Sequence, residues 1–191
     1  MKILPIFVKE KTPKEGLFSI HFNNEKEDEV AKCFDNWLFN TQYLFDFFTL
    51  HEKDLNSGYY GKQISINEAI RYTRQEAETL FNELESLAKF GTKSNGTSLS
   101  IAFQPLRDGD YSKSELQQEK AKTNIQKRWL RIYAIRIAPN TFVVTGGAIK
   151  LVRTMNERAH LTKELRKLND VRTYLISEGV LDQDDFETFE I

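Results

Sequence analysis

The chain has 191 residues, 40% hydrophobic and 12% aromatic, so it is too apolar to stay disordered and long enough to bury a core as one domain, 1–191. No apolar run reaches the length of a membrane span and no signal-peptide pattern opens the sequence, so a cytoplasmic protein without a membrane partner is expected. The formal net charge of −1 excludes a uniformly basic or acidic chain, and a single cysteine, Cys33, excludes an internal disulfide or a cysteine-based zinc site within one chain.

Residues 3–22, "ILPIFVKEKTPKEGLFSIHF", read as two short β runs joined by a polar turn that contains Pro13 and Gly16. An acidic stretch before Val30 suits a helix N-terminus. Val30, Phe34, Trp37, Leu38, Thr41, Leu44, Phe45 and Phe48 then recur at helical spacing, and the aromatics among them read as core. Ser65 and Glu68 have capping-box spacing and open a second helix. Its stripe runs from Ile66 and Ile70 through Ala77, Leu80, Phe81 and Leu84 to Ala88, and Gly91 ends it. "SLSIAFQPL" is a short strand, and the polar stretch near 107–127 reads as a mobile insertion or an exposed helix. Two long β runs flank Pro139-Asn140, and Leu161, Leu165, Leu168, Val171 and Leu175 mark a final helix.

This order predicts an α+β domain: an antiparallel sheet with two N-terminal helices on one face, a C-terminal helix, and the opposite face open. A two-residue turn at Pro139-Asn140 pairs Ala138 with Thr141, Tyr133 with Gly146, Arg131 with Ala148 and Trp129 with Lys150. Directly opposed side chains share a face. Leu130, Ile132, Ala134, Val143, Thr145, Gly147, Ile149 and Leu151 then face the helices. Trp129, Arg131, Tyr133, Gly146, Ala148 and Lys150 take the open face, where small partners leave room for a base or a phosphate.

Charge is unevenly placed. Residues 113–172 hold fourteen Lys/Arg against five Asp/Glu, and no basic residue follows Arg172, whereas six acids do. A basic segment ahead of an acidic tail, near 178–191, suits a polyanion-binding face with an internal mimic of its ligand. Residues 182–191, with Phe186 and Phe189 among the acids, either fold back over the Arg131/Lys150 groove or form a frayed terminus. The three histidines, His21, His51 and His160, lack metal-ligand spacing, and "TGGAIK" lacks the full P-loop pattern.

The segments "LRIYAIRI", "NTFVVTGGAIKLVRTM" and "LTKELRKLNDVRTYL" resemble the C-terminal core of the RelE/HigB-like toxins, members of the RelE/ParE superfamily of bacterial type II toxin–antitoxin systems. The similarity spans residues 97–176. Arg131 matches the strand arginine, "GAIK" ending at Lys150 the glycine-to-lysine segment, and Glu164-Leu165 the closing helix. The resemblance implies a RelE-like fold and an endoribonuclease that cleaves mRNA, often on the ribosome, without metal or cofactor and under control of a helix-turn-helix antitoxin. It implies Arg131 and Lys150 as electrostatic stabilisers, with Tyr133 as a stacking or acid/base residue. Arg128, Trp129, Arg153, Arg158 and Lys163 are then the RNA contacts, and His160 serves the helix entry.

Four features depart from the family pattern, the extra acidic tail among them. Leu151 replaces a second lysine, the polar insertion separates strands that are usually close, and no histidine follows the last helix. Two alternatives therefore stay open: a catalytically silent RNA- or antitoxin-binding protein of the same fold, and an unrelated α+β interaction protein.

Overall fold

The hairpin expected around Pro139-Asn140 joins the two longest strands, β5 (Leu130–Ala138) and β6 (Thr141–Ile149). The structure is a computed structural model and describes residues 1–58, 60, 63–91, 98–106, 116–122 and 128–191. Ala138 pairs with Thr141, Tyr133 with Gly146 and Arg131 with Ala148, as the turn requires, and the Lys150 amide donates to the Trp129 carbonyl. Between these points the ladder slips twice, once between Tyr133 and Ala134 and once between Arg136 and Ala138. Thr145 is the extra residue on β6 and Ile137 the extra one on β5, so the two bulges cancel. Their effect is local. Val143, expected to face the N-terminal helices, turns to the other side with Tyr133, Ile135 and Ile137, while Phe142 and Val144 take the helix-facing positions.

Four more strands extend the sheet: β1 (Lys2–Val8), β2 (Gly16–His21), β3 (Phe103–Pro105) and β4 (Gln117–Ala121), in the order β1-β2-β6-β5-β4-β3. The sheet is mixed, because β2 lies parallel to β6 while every other neighbour is antiparallel. The β1–β2 hairpin is separated from β6 by the whole helical segment, a connection long enough to return the chain in the same direction.

The stretch expected to form one helix from Val30 to Phe48 is two: α1 (Glu29–Leu38) and α2 (Thr41–Leu50). The Asp35 carbonyl accepts from the amides of Phe39 and Asn40 and closes α1, and the Asn40 side chain caps α2. The break exposes Phe45, while Leu44 and Phe48 stay buried. A short turn, α3 (Glu52–Leu55), leads toward α4 (Ile66–Phe90), which opens on a complete Ser65/Glu68 capping box. Within the α4 stripe sits a charged exception. Glu76 is fully buried and accepts from the Trp129 and Leu130 amides, which anchors the start of β5.

Of the polar stretch 107–127, residues 117–121 form β4, and 107–115 and 123–127 lie outside the described residues. Glu119 is buried there and faces Arg136 at 3.6 Å, which explains the arginine near the hairpin end. Burial raises the Glu119 pKa and Arg136 opposes that rise.

The face expected to be open is covered. The final helix, α5 (Ala159–Ser177), lays Leu161, Leu168, Val171 and Leu175 against Tyr133, Ile135 and Val143. Both faces of β5 and β6 are apolar, so each recruits an amphipathic partner. The acidic tail is structural too. Residues Gln183–Thr188 form α6, whose Phe186 is fully buried and meets Phe18 edge-on at 5.0 Å. The Lys14 ammonium donates to the Phe189 carbonyl and lies over the Phe186 ring. The tail therefore packs on the β1–β2 side and does not cover Arg131 or Lys150, contrary to the groove-covering expectation. Among the described residues, no helix is long and apolar enough to cross a membrane.

Candidate anion-binding pocket

Because α5 rests on only part of the sheet, a cavity of about 510 Å³ opens beside it, over the ends of β4, β5 and β6. Five cations line it: Lys120 from β4 and Lys122 just after it, Arg131 from β5, Lys150 after β6, and Arg153 from the loop into α5. Among the described residues, no carboxylate lines the same cavity. Arg131, Tyr133, Lys150 and Arg153, singled out from the sequence, are thus brought together. Lys120 and Lys122 were missed, because their stretch lacks the β-branched and aromatic residues that mark strands. The available signal was period two: Glu119 and Ala121 are buried, and Lys120 and Lys122 alternate with them.

Three of the five cations are held by backbone carbonyls. Lys150 Nζ donates to Val152 O at 2.9 Å and to Arg153 O at 2.6 Å. Arg131 Nη1 donates to Leu130 O at 2.6 Å, and Lys120 Nζ to Leu106 O at 3.0 Å. A carbonyl fixes a cation's position without cancelling its charge, so the field of Lys120, Arg131 and Lys150 is left for a ligand. Burial lowers the Lys150 pKa, and Arg131 and Lys120 lower it further, against a weaker pull from Glu157, with Lys122 adding least. Glu157 itself is engaged in capping Thr154.

A pH effect follows. An anionic ligand needs Lys150 protonated, so its affinity should fall as pH rises through a pKa that lies below the ordinary lysine value of 10.5. Lys150→Arg should remove that loss, since a guanidinium does not titrate in this range. Binding curves across the alkaline range, for both proteins, check it.

Tyr133 belongs to the lining, yet it is fully buried and its hydroxyl has no hydrogen-bond partner among the described residues. Burial pushes the phenol well up, against the pull of Arg131, so it stays protonated. A buried ring offers no face for stacking. Nor does its hydroxyl, which is buried with the ring, reach the open surface of the cavity.

The remaining candidates separate from this group. Trp129 is fully buried on the opposite face, against Phe48 and Tyr60, and its indole N–H donates to Thr73; it is a core residue, not an RNA contact. Its chain position precedes the regular pairing of β5, and the anchoring by Glu76 turns it inward. Arg158 is drawn away by Asp54, with Nε 2.7 Å from Oδ2 and a second contact from Nη2 to Oδ1. The guanidinium holds the Asp54 carboxyl below its usual range. Arg128 lies outside the lining and contributes its carbonyl, which accepts from Arg131 at 3.4 Å. Lys163 faces a second cavity.

That second cavity, about 320 Å³, lies between α1, α2 and α5 and contains a buried triad. Lys167 Nζ is 2.7 Å from Glu29 Oε2 and 3.0 Å from Glu164 Oε1. Burial raises the Glu164 pKa, and Lys167 offsets part of the rise. The glycine pair of "TGGAIK" makes this packing possible. A Cβ on Gly146 would come within 1.9 Å of Glu164 Oε2, and one on Gly147 within 2.9 Å of the Arg131 carbonyl. His160, at the entry of α5 as expected, donates from Nε2 to Ile149 O at 3.1 Å and is kept below its usual pKa by burial.

Compared with family models, curated protein sequences and solved structures, the chain matches none of them.

Proposed function

We propose that this chain binds single-stranded RNA by its phosphates in the Arg131–Lys150 pocket and cleaves the bound strand, as the RelE/HigB-like resemblance implies. One observation carries the reading: five cations share a cavity whose lining, among the described residues, contains no acid. Such a cluster is costly for the fold alone, and a polyanion compensates it. In the cleavage step the 2′-hydroxyl oxygen bonds to the adjacent phosphorus and the P–O5′ bond breaks. Arg131, Lys150 and Arg153 balance the charge that grows on the non-bridging oxygens. The proton of the attacking hydroxyl leaves to solvent, and the departing oxygen regains one from it.

A second reading is favoured by the same lining. Among the described residues it holds neither imidazole nor carboxylate to act as base, which suits a protein that binds RNA without cutting it. A ribosome as further partner belongs to the first reading only, whereas a helix-turn-helix antitoxin fits either.

End-labelled single-stranded RNA incubated with the protein in a chelator separates the two. Fragments ending in a 2′,3′-cyclic phosphate are expected for cleavage. A retarded but intact strand supports the silent binder, and no interaction at low salt overturns both.

A further inference from the structure

The lining of the cationic pocket includes neutral side chains that phosphate binding does not use. Gln118 of β4 and Asn169 of α5 are two of them, and Gln118 Nε2 donates to Asn169 Oδ1 at 2.8 Å. That bond uses one donor and one acceptor. It leaves the side-chain oxygen of Gln118, Oε1, and the Asn169 amino group without a partner among the described residues. Three partly buried apolar side chains, Leu106, Met155 and Leu165, line the same cavity.

We propose that Gln118 and Asn169 read the nucleobase of the RNA whose phosphate the cations hold. The inference rests on the RNA reading above and adds a specificity-determining pair to it. A base is a flat apolar body with donors and acceptors on its rim. Leu106, Met155 and Leu165 suit its faces, since a thioether and branched aliphatics pack against a ring with little directional demand. The free carbonyl and free amino group suit its edge, where an acceptor and a donor are read together. Position also agrees. Gln118 and Lys120 lie two residues apart on one side of β4, about 7 Å along the strand, so base and phosphate contacts fall on neighbouring positions of one element. Their mutual hydrogen bond joins β4 to α5 and holds both amides in place before ligand arrives.

Charge and amide should separate in solution. Phosphate contacts weaken as salt rises, whereas hydrogen bonds to a base edge discriminate at any salt. Fluorescence anisotropy with four short oligonucleotides, of adenosine, cytidine, guanosine or uridine alone, at two salt concentrations provides the test. Wild type should prefer one base by about tenfold, and the ratio should persist as every affinity falls with salt. Gln118→Met with Asn169→Leu, close in size and without amides, should bind all four alike with an unchanged salt slope. Asn169→Leu alone keeps β4 untouched and should lose most of the preference, with thermal melts confirming that each variant is folded. Equal binding of the four oligonucleotides by wild type, or a preference that survives the double substitution, overturns the proposal while leaving RNA binding intact. Failure of wild type to bind any of them overturns the RNA reading and this inference with it.

Discussion

Replacing Arg131 and Lys150 together by alanine should lower RNA affinity by about a hundredfold or more and abolish any cleavage, with the protein still folded. Lys150 senses its neighbour, since Arg131 is the first of the nearby cations that depress its pKa. Both point into the cavity, and neither has an ion-pair partner among the described residues. Removing the pair deletes two phosphate contacts from the centre of the group, so the dependence of affinity on salt should flatten by roughly two. The cost to the fold should stay near 1 kcal/mol for each hydrogen bond to a carbonyl that is lost. Anisotropy titrations at several salt concentrations measure the first effect and a chemical melt the second. In cells, the reading as a toxin predicts that induction of the wild type arrests growth and that the double variant does not. Normal growth with abundant folded wild-type protein would count against the toxin and leave the RNA binder. Wild-type affinity in the double variant would remove the pocket from the account altogether.

The second large effect concerns stability. Phe186→Ala should cost about 3–5 kcal/mol, the usual loss for a buried phenylalanine whose site cannot collapse. Phe186 is fully buried, meets Phe18 edge-on and stacks on Phe189 at a centroid distance of 6.4 Å. For a chain of this length each kcal/mol lowers the melting midpoint by about 2–4 °C, so a fall on the order of 10 °C is expected. Removing residues 182–191 should destabilise at least as much, because it uncovers the Phe18 side of the sheet as well. RNA affinity of the folded Phe186→Ala protein should match wild type at low and high salt, as the tail packs away from the cations. Tighter binding by that variant, most evident at low salt, would instead revive the tail as a competitor for the pocket.

Local order was legible in the sequence wherever a signal is carried by neighbouring residues. The Ser65/Glu68 cap opens α4 as its spacing requires, the hydrophobic stripe from Leu161 to Leu175 is the buried side of α5, and Pro139-Asn140 makes the turn. That turn also placed Arg131 opposite Ala148 and Tyr133 opposite Gly146, because hairpin register propagates from its loop. Two compensating bulges kept those pairs and moved Val143 to the other face, a change that no local pattern announces. The β4 strand was hidden for a related reason. Its residues are polar, and they gain strand structure from pairing with β5 and β3 rather than from their own propensity.

What the sequence determined by itself is the α+β class, the helix and hairpin signals, and the concentration of basic residues between 113 and 172. Each is a property of composition or of short-range spacing. Only the tertiary structure decided which charges act together. Arg158, adjacent to the basic group in sequence, is neutralised by Asp54, 104 residues away, while Lys120 and Lys122 enter from a strand with no motif and the residue after it. Trp129 is turned into the core by Glu76 of α4, and the acidic tail is fixed by the burial of one phenylalanine. Charges and rings act over a few ångströms of space, and the packing of α4, α5 and β4 on one sheet sets those distances.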